Sequence, residues 1–144
     1  MVCLYDSNHG KSTKGLEVIA AIKDAIMANC TDYIVEITEV HDIMHWQHDV
    51  FKPLILICPI TNRLLHDTES ALAKIRVEYY SSVALIVVHG KTKDYSRYGS
   101  SRSELSSKGN YGRLGEIIDW FMKNDSYNFE ATRDIINFVT KMVK

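Results

Sequence analysis

The chain is short of net charge, of cysteine and of long hydrophobic runs, and each shortage closes off a class of function. Seventeen Lys and Arg stand against eighteen Asp and Glu, for a net charge of −1, and no basic stripe gathers along the chain. A nucleic-acid binder needs such a stripe to neutralise phosphates, so nucleic acid is not an expected partner. No apolar run reaches the ~18 residues of a membrane span, and the N-terminus lacks the charged-then-apolar pattern of a signal peptide. No membrane span is therefore expected, and the cytoplasm is the expected compartment. The three cysteines, Cys3, Cys30 and Cys58, are an odd number without metal-ligand spacing. Two of them sit in apolar runs, which predicts buried thiols rather than disulfides.

What is present is an ordinary globular balance, with 46% apolar and 24% charged residues in 144. That length suits one compact domain over residues 1–144 with a core of its own. "MVCLYD" (1–6) is a short apolar run ending in turn-forming residues. Val18, Ile19, Ile22, Ala25 and Ile26 then recur at helical spacing. "DYIVEITEV" (32–40) alternates and is rich in β-branched residues, so it predicts a strand. "PLILICPI" (53–60) and "SVALIVVHG" (82–90) are unbroken apolar runs, the signature of strands buried on both faces. "LLHDTESALAKIRVEYY" between them predicts a helix. Residues 91–115, rich in Ser, Gly, Lys and Tyr, read as a long loop, able to serve as a substrate lid or partner surface. "LGEIIDWFMKN" and "EATRDIINFVTKMVK" read as two amphipathic helices, leaving "DSYNF" as the candidate for a short fifth strand. The alternation predicts an α/β fold with a doubly wound parallel sheet, helices on both faces.

In such a sheet, ligands bind beyond the carboxyl ends of the strands. Three polar loops leave that edge: Ser7–Ser12, Pro59–His66 and His89–Tyr98. The first ends in Gly10-Lys11-Ser12-Thr13, like a nucleotide-binding P-loop, but that motif needs a glycine five positions before Gly10, where Tyr5 stands. Phosphoryl transfer is set aside on that ground. A turn of Ser7, Asn8, His9, Gly10, Lys11 and Ser12 running into a helix can still hold a phosphate through N–H groups and hydroxyls at the helix N-terminus. Its plainer alternative is that Ser7 or Ser12 caps the helix.

Three stretches in register resemble the flavodoxin superfamily, most of all the short branch that includes the menaquinone-dependent protoporphyrinogen oxidases. "LYDSNHGKSTKGLEVIAAI" resembles the family's phosphate turn. "CPITNRLLHDTESALAKI" resembles the branch's segment after the third strand, through Ile60, Leu65 and His66. "VALIVVHGKTKDYSRYG" is similar to the fourth strand and its flavin-side loop. The resemblance covers residues 1 to about 100 and implies sheet order 2-1-3-4-5 with FMN as cofactor. It further implies that Ser7, Asn8, His9, Gly10, Lys11 and Ser12 surround the phosphate, with Thr13 a further hydroxyl. Pro59, Ile60, Thr61, Asn62 and Arg63 would lie along the flavin's N5 edge. His89, Gly90, Lys91 and Tyr95 would lie beside the ring, with Tyr98 and Lys93 as alternates. Two departures stand out. The glycine often found in the second loop is replaced by Arg63, with Asn62 next to it, and that loop carries no aromatic residue.

The expected function is an FMN-binding redox protein, either an electron carrier or a small oxidoreductase. Its partner would be a redox protein or a quinone or other small-molecule acceptor. The near-zero net charge does not suit a carrier that docks by electrostatic steering. The alternative is a flavin-free domain of the same fold serving protein interaction or signalling. Other constellations are weaker. His41, His45 and His48 fall at i, i+4 and i+7 without a carboxylate or thiol to complete a metal site. His66 with Asp67 and Glu69 fits a cap or surface cluster better than acid–base work, and Trp120 is expected in the core.

Overall fold

A computed structural model of the chain describes residues 2–7, 13–29, 37–40, 52–60, 63–89, 101–121 and 125–143. Among them, in chain order, are β1 (Val2–Asp6), α1 (Thr13–Asn29), β2 (Ile37–Glu39), β3 (Leu54–Pro59) and α2 (Leu64–Leu72). A three-ten turn (Val77–Ser82) leads into β4 (Val83–His89). Then come α3 (Ser101–Leu105), a second three-ten turn (Tyr111–Arg113), β5 (Glu116–Phe121) and α4 (Asp125–Val143). The strands form one sheet in the order β2-β1-β3-β4-β5, and every pairing is parallel. This is the doubly wound α/β fold with the flavodoxin-like strand order.

Strand alternation divides the core in two. On one face Leu4, Ile55, Ile57, Ile86, Val88, Ile118 and Trp120 pack against Ile22 and Ile26 of α1 and Ile135, Phe138 and Val139 of α4. On the other, Leu54, Leu56, Cys58, Leu85, Val87 and Ile117 pack under Ala71 and Leu72 of α2, Leu105 of α3, and Tyr80 and Tyr111 of the turns. Because both faces are covered, β3 and β4 carry apolar residues at nearly every position, as their unbroken runs predict. Trp120 and the thiols of Cys3 and Cys58 are buried, as expected.

Three expectations are corrected. The fifth strand is not "DSYNF" but Glu116–Phe121, inside the segment expected to be a helix, and it is paired along its length with β4. Residues 125–129 of "DSYNF" instead open α4. The long helix expected over 64–80 stops at Leu72, because Arg76 is extended (φ −69°, ψ 140°) and the chain re-forms as a three-ten turn that buries Tyr80. The stretch 91–115, expected as loop throughout, holds α3 and the second three-ten turn within its described part.

Candidate functional site

Since every strand runs the same way, the carboxyl ends of β1, β3, β4 and β5 share one edge. The ladder continues one residue past β1 and β3: Ser7 N–H donates to Ile57 O (2.9 Å) and Ile60 N–H to Val88 O (3.0 Å). α1 leaves β1 for one face and α2 leaves β3 for the other, so the switch point lies between Ser7 and Ile60. Four of the expected site residues, Ser7, Pro59, Ile60 and His89, come together along this edge, and Arg63 opens α2 beside it. Asn8, His9, Gly10, Lys11, Ser12, Thr61, Asn62, Gly90, Lys91 and Tyr95 lie outside the described residues, as do the histidines of the 41–49 segment.

Ser7 is half-buried and its side chain hydrogen-bonds Cys58. The Cys58 thiol also donates to the Asp67 carbonyl (3.5 Å). Burial pushes this thiol up to about 12; the Ser7 hydrogen bond pulls it back in part, while the charges of Asp67 and Asp6 add to the rise. That direction disfavours the thiolate, and Cys58 packs in the core beneath α2. Arg63 is exposed and extended (φ −131°, ψ 143°), and its carbonyl accepts the Asp67 N–H that starts α2 (2.9 Å). His66 is exposed on α2, as a surface role requires.

His89 does more than end its strand. Its ring stacks on Phe121, its register partner on β5, with centroids 4.7 Å apart and planes at 15°. Its Nε2 reaches diagonally to Asp119 Oδ1 (2.7 Å), two residues back on the same face of β5. Asp119 also receives Ser101, whose N–H donates to Oδ2 (2.9 Å) and whose hydroxyl donates to Oδ1. One carboxylate thus holds the last residue of β4 and the first residue of α3. Burial pushes the Asp119 carboxyl up, but the hydrogen bonds from His89 and Ser101 and the His89 charge outweigh it. The net direction is below the ordinary 3.8.

A carboxyl lowered on folding contributes stability above its unfolded pKa and loses it as pH falls through the lower folded value. Asp119→Asn is therefore expected to be less stable than the parent at pH 7. The deficit should narrow once the pH drops below about 3.8. Urea unfolding of both proteins at pH 7 and pH 3 reads this directly, and an equal deficit at both values would contradict it.

Asp119, Ser101 and Phe121 escaped the sequence reading because residues 114–124 were expected to be helical. Read as a strand, "EIIDWF" puts Asp119 and Phe121 on one face near the carboxyl end, but its burial on both faces leaves no alternation to mark it as one. Farther from the edge, Tyr111 OH donates to Thr68 Oγ1 (2.7 Å), whose own hydroxyl bonds the Leu64 carbonyl (2.8 Å), tying the second three-ten turn to α2. Among the described residues no group of His, Cys, Asp and Glu is arranged to hold a metal ion, and no helix is long and apolar enough to cross a membrane. Comparison with protein-family models finds no match, and comparison with curated proteins finds none either.

Proposed function

We propose that this protein belongs with the flavodoxin-like flavoproteins and binds FMN at the carboxyl edge, acting as a small oxidoreductase or electron-transfer protein. The observation that carries this reading is the strand order 2-1-3-4-5 with polar loop origins at the β1/β3 switch point. The donor chemistry fits in kind. The Ser7 hydroxyl at the switch point and the exposed Arg63 cation at the start of α2 suit an anionic, phosphate-bearing ligand. The turn from Asn8 to Ser12 would supply N–H groups to the phosphate, Ile60 to Arg63 would border the ring, and His89 to Tyr95 would line its other side. Bound there, FMN supplies the electron chemistry; the protein's part is to hold it, exclude water and tune it. The acceptor would be a redox protein, a quinone or another small molecule.

Titrating FMN into the purified protein is expected to quench flavin fluorescence saturably, and Ser7→Glu with Ser12→Glu is expected to abolish that quenching. No quenching by the parent protein at high concentration would overturn the reading. A second reading, a flavin-free domain for protein interaction, draws on one specific observation. The His89 ring is already engaged by Phe121 and Asp119, and Ser7 by Cys58, so neither is held in reserve for a ligand.

A further inference from the structure

We propose that the outer edge of β5 is held shut against strand addition by Asn128, and that a second copy of this chain pairs along it once that amide is removed. An edge strand presents a row of backbone donors and acceptors that another extended chain can complete. The sheet ends in β2, of three residues, on one side and in β5, of six, on the other, so β5 offers the longer row. Along a strand the N–H and C=O of one residue point to the same side, and those of the next residue to the opposite side. Both groups of Phe121 are taken by Asn128 of α4. Ile117, Asp119 and Phe121 therefore present their backbone groups outward, while Ile118 and Trp120 present theirs to β4.

The three outward positions are closed to different degrees. At the start, the Ile117 N–H turns to the side chain of its own neighbour Glu116 (3.4 Å), which is also paired with Arg102 of α3. In the middle, among the described residues, no hydrogen bond engages the backbone of Asp119 from outside the sheet. At the end, Asn128 supplies a donor and an acceptor in the spacing of one ladder step, so an incoming strand finds Phe121 already engaged. The first bond is long and the middle is open, which leaves Asn128 as the closure that decides. The spacing also selects the occupant. Ile117 and Phe121 lie at equal distances on either side of Asp119, so a second copy running antiparallel sets its Phe121 against Ile117 and its Ile117 against Phe121. That is the self-complementary arrangement of a two-fold dimer. At its centre each Asp119 carboxylate is turned to His89 and Ser101 of its own copy. Because every end pair contains a Phe121, Asn128 closes both ends of such a dimer, and its removal opens both at once.

Sedimentation velocity at rising protein concentration tests this. Asn128→Ala is expected to double the sedimenting mass of the parent in a reversible, concentration-dependent step. Asn128→Asp still accepts the Phe121 N–H and places a charge on the edge, so it is expected to keep the parent's mass even though it also loses a hydrogen bond. A folded Asn128→Ala with the parent's mass throughout would overturn the proposal. So would an Asn128→Asp that associates as readily as the alanine variant, since lost stability would then be the cause. Hydrogen exchange in the parent gives a test that stands even where the alanine variant fails to fold. There the amides of Ile118, Trp120 and Phe121 are expected to exchange several-fold more slowly than that of Asp119. An Asp119 amide as slow as those on either side of it would mean an edge already covered, and would overturn the proposal.

Discussion

Asn128→Ala is expected to cost about 3 kcal/mol, lowering the melting temperature by roughly 10 °C. Asn128 is buried in the first turns of α4, and its amide serves both backbone groups of Phe121 at once. Its Oδ1 accepts the Phe121 N–H (2.8 Å) and its Nδ2 donates to the Phe121 carbonyl (2.6 Å). β5 is the last strand of the sheet, and Phe121 is its last residue. The amide thus acts as a side-chain substitute for one more ladder step and ties α4 to the end of β5. Alanine removes both bonds from a buried site, where each costs ~1–3 kcal/mol. Asn128→Asp separates the two contributions: the carboxylate still accepts the N–H but cannot donate to the carbonyl. Denaturant unfolding of the three proteins measures the effect, and a loss below about 0.5 kcal/mol in the alanine variant would contradict it.

Gly115→Ala is expected to destabilise by about 2–3 kcal/mol for the opposite reason, too much matter rather than too few bonds. A Cβ at residue 115 would lie 2.6 Å from Ser81 O, 2.8 Å from Phe138 Cε2 and 3.1 Å from Val83 O. Two of those three neighbours are backbone, which cannot rotate aside. The Gly115 N–H is shared between the carbonyls of Tyr80 and Val83, both at 2.9 Å, so a shift that relieves the clash also strains those bonds. This is the point where the turn before β4, the lead into β5 and α4 all meet. Gly109 provides the contrast: its φ is 48° with open space around it, so Gly109→Asn should be tolerated. Thermal unfolding of both variants tests the pair, and equal stability of Gly115→Ala and the parent would refute the close approach.

The legibility of this fold in its sequence follows burial. β3 and β4 lie in the middle of the sheet, and their apolar runs between turn residues admit one interpretation. β5 misleads for a physical reason. Both its faces are covered, so Ile117, Ile118, Trp120 and Phe121 are all buried and period-two alternation is lost. With Leu114 and Met122 these residues also fall at helical intervals, and such a run cannot be told from a helix by spacing alone. The error at "DSYNF" followed from it, since a sheet lacking one strand sought it in the next aromatic stretch. The end of the helix after Leu72 was hidden as well. No Gly or Pro marks it; it is set by the burial of Tyr80, whose carbonyl receives Gly115 from a distant part of the chain. In the candidate site, Ser7, Ile60 and His89 were legible because they leave strands that were themselves legible. Asp119, Ser101 and Phe121 were not, because their meeting depends on β5 lying beside β4.

The Asp119 carboxylate has a consequence for how this fold can vary. It grips His89 at the end of one strand and Ser101 at the start of the next helix, so the residues between them depart from and return to stems fastened together at one point. Asp119 thus fastens the end of β4, the start of α3 and β5 at one point, so that a change at this one carboxylate would loosen all three together.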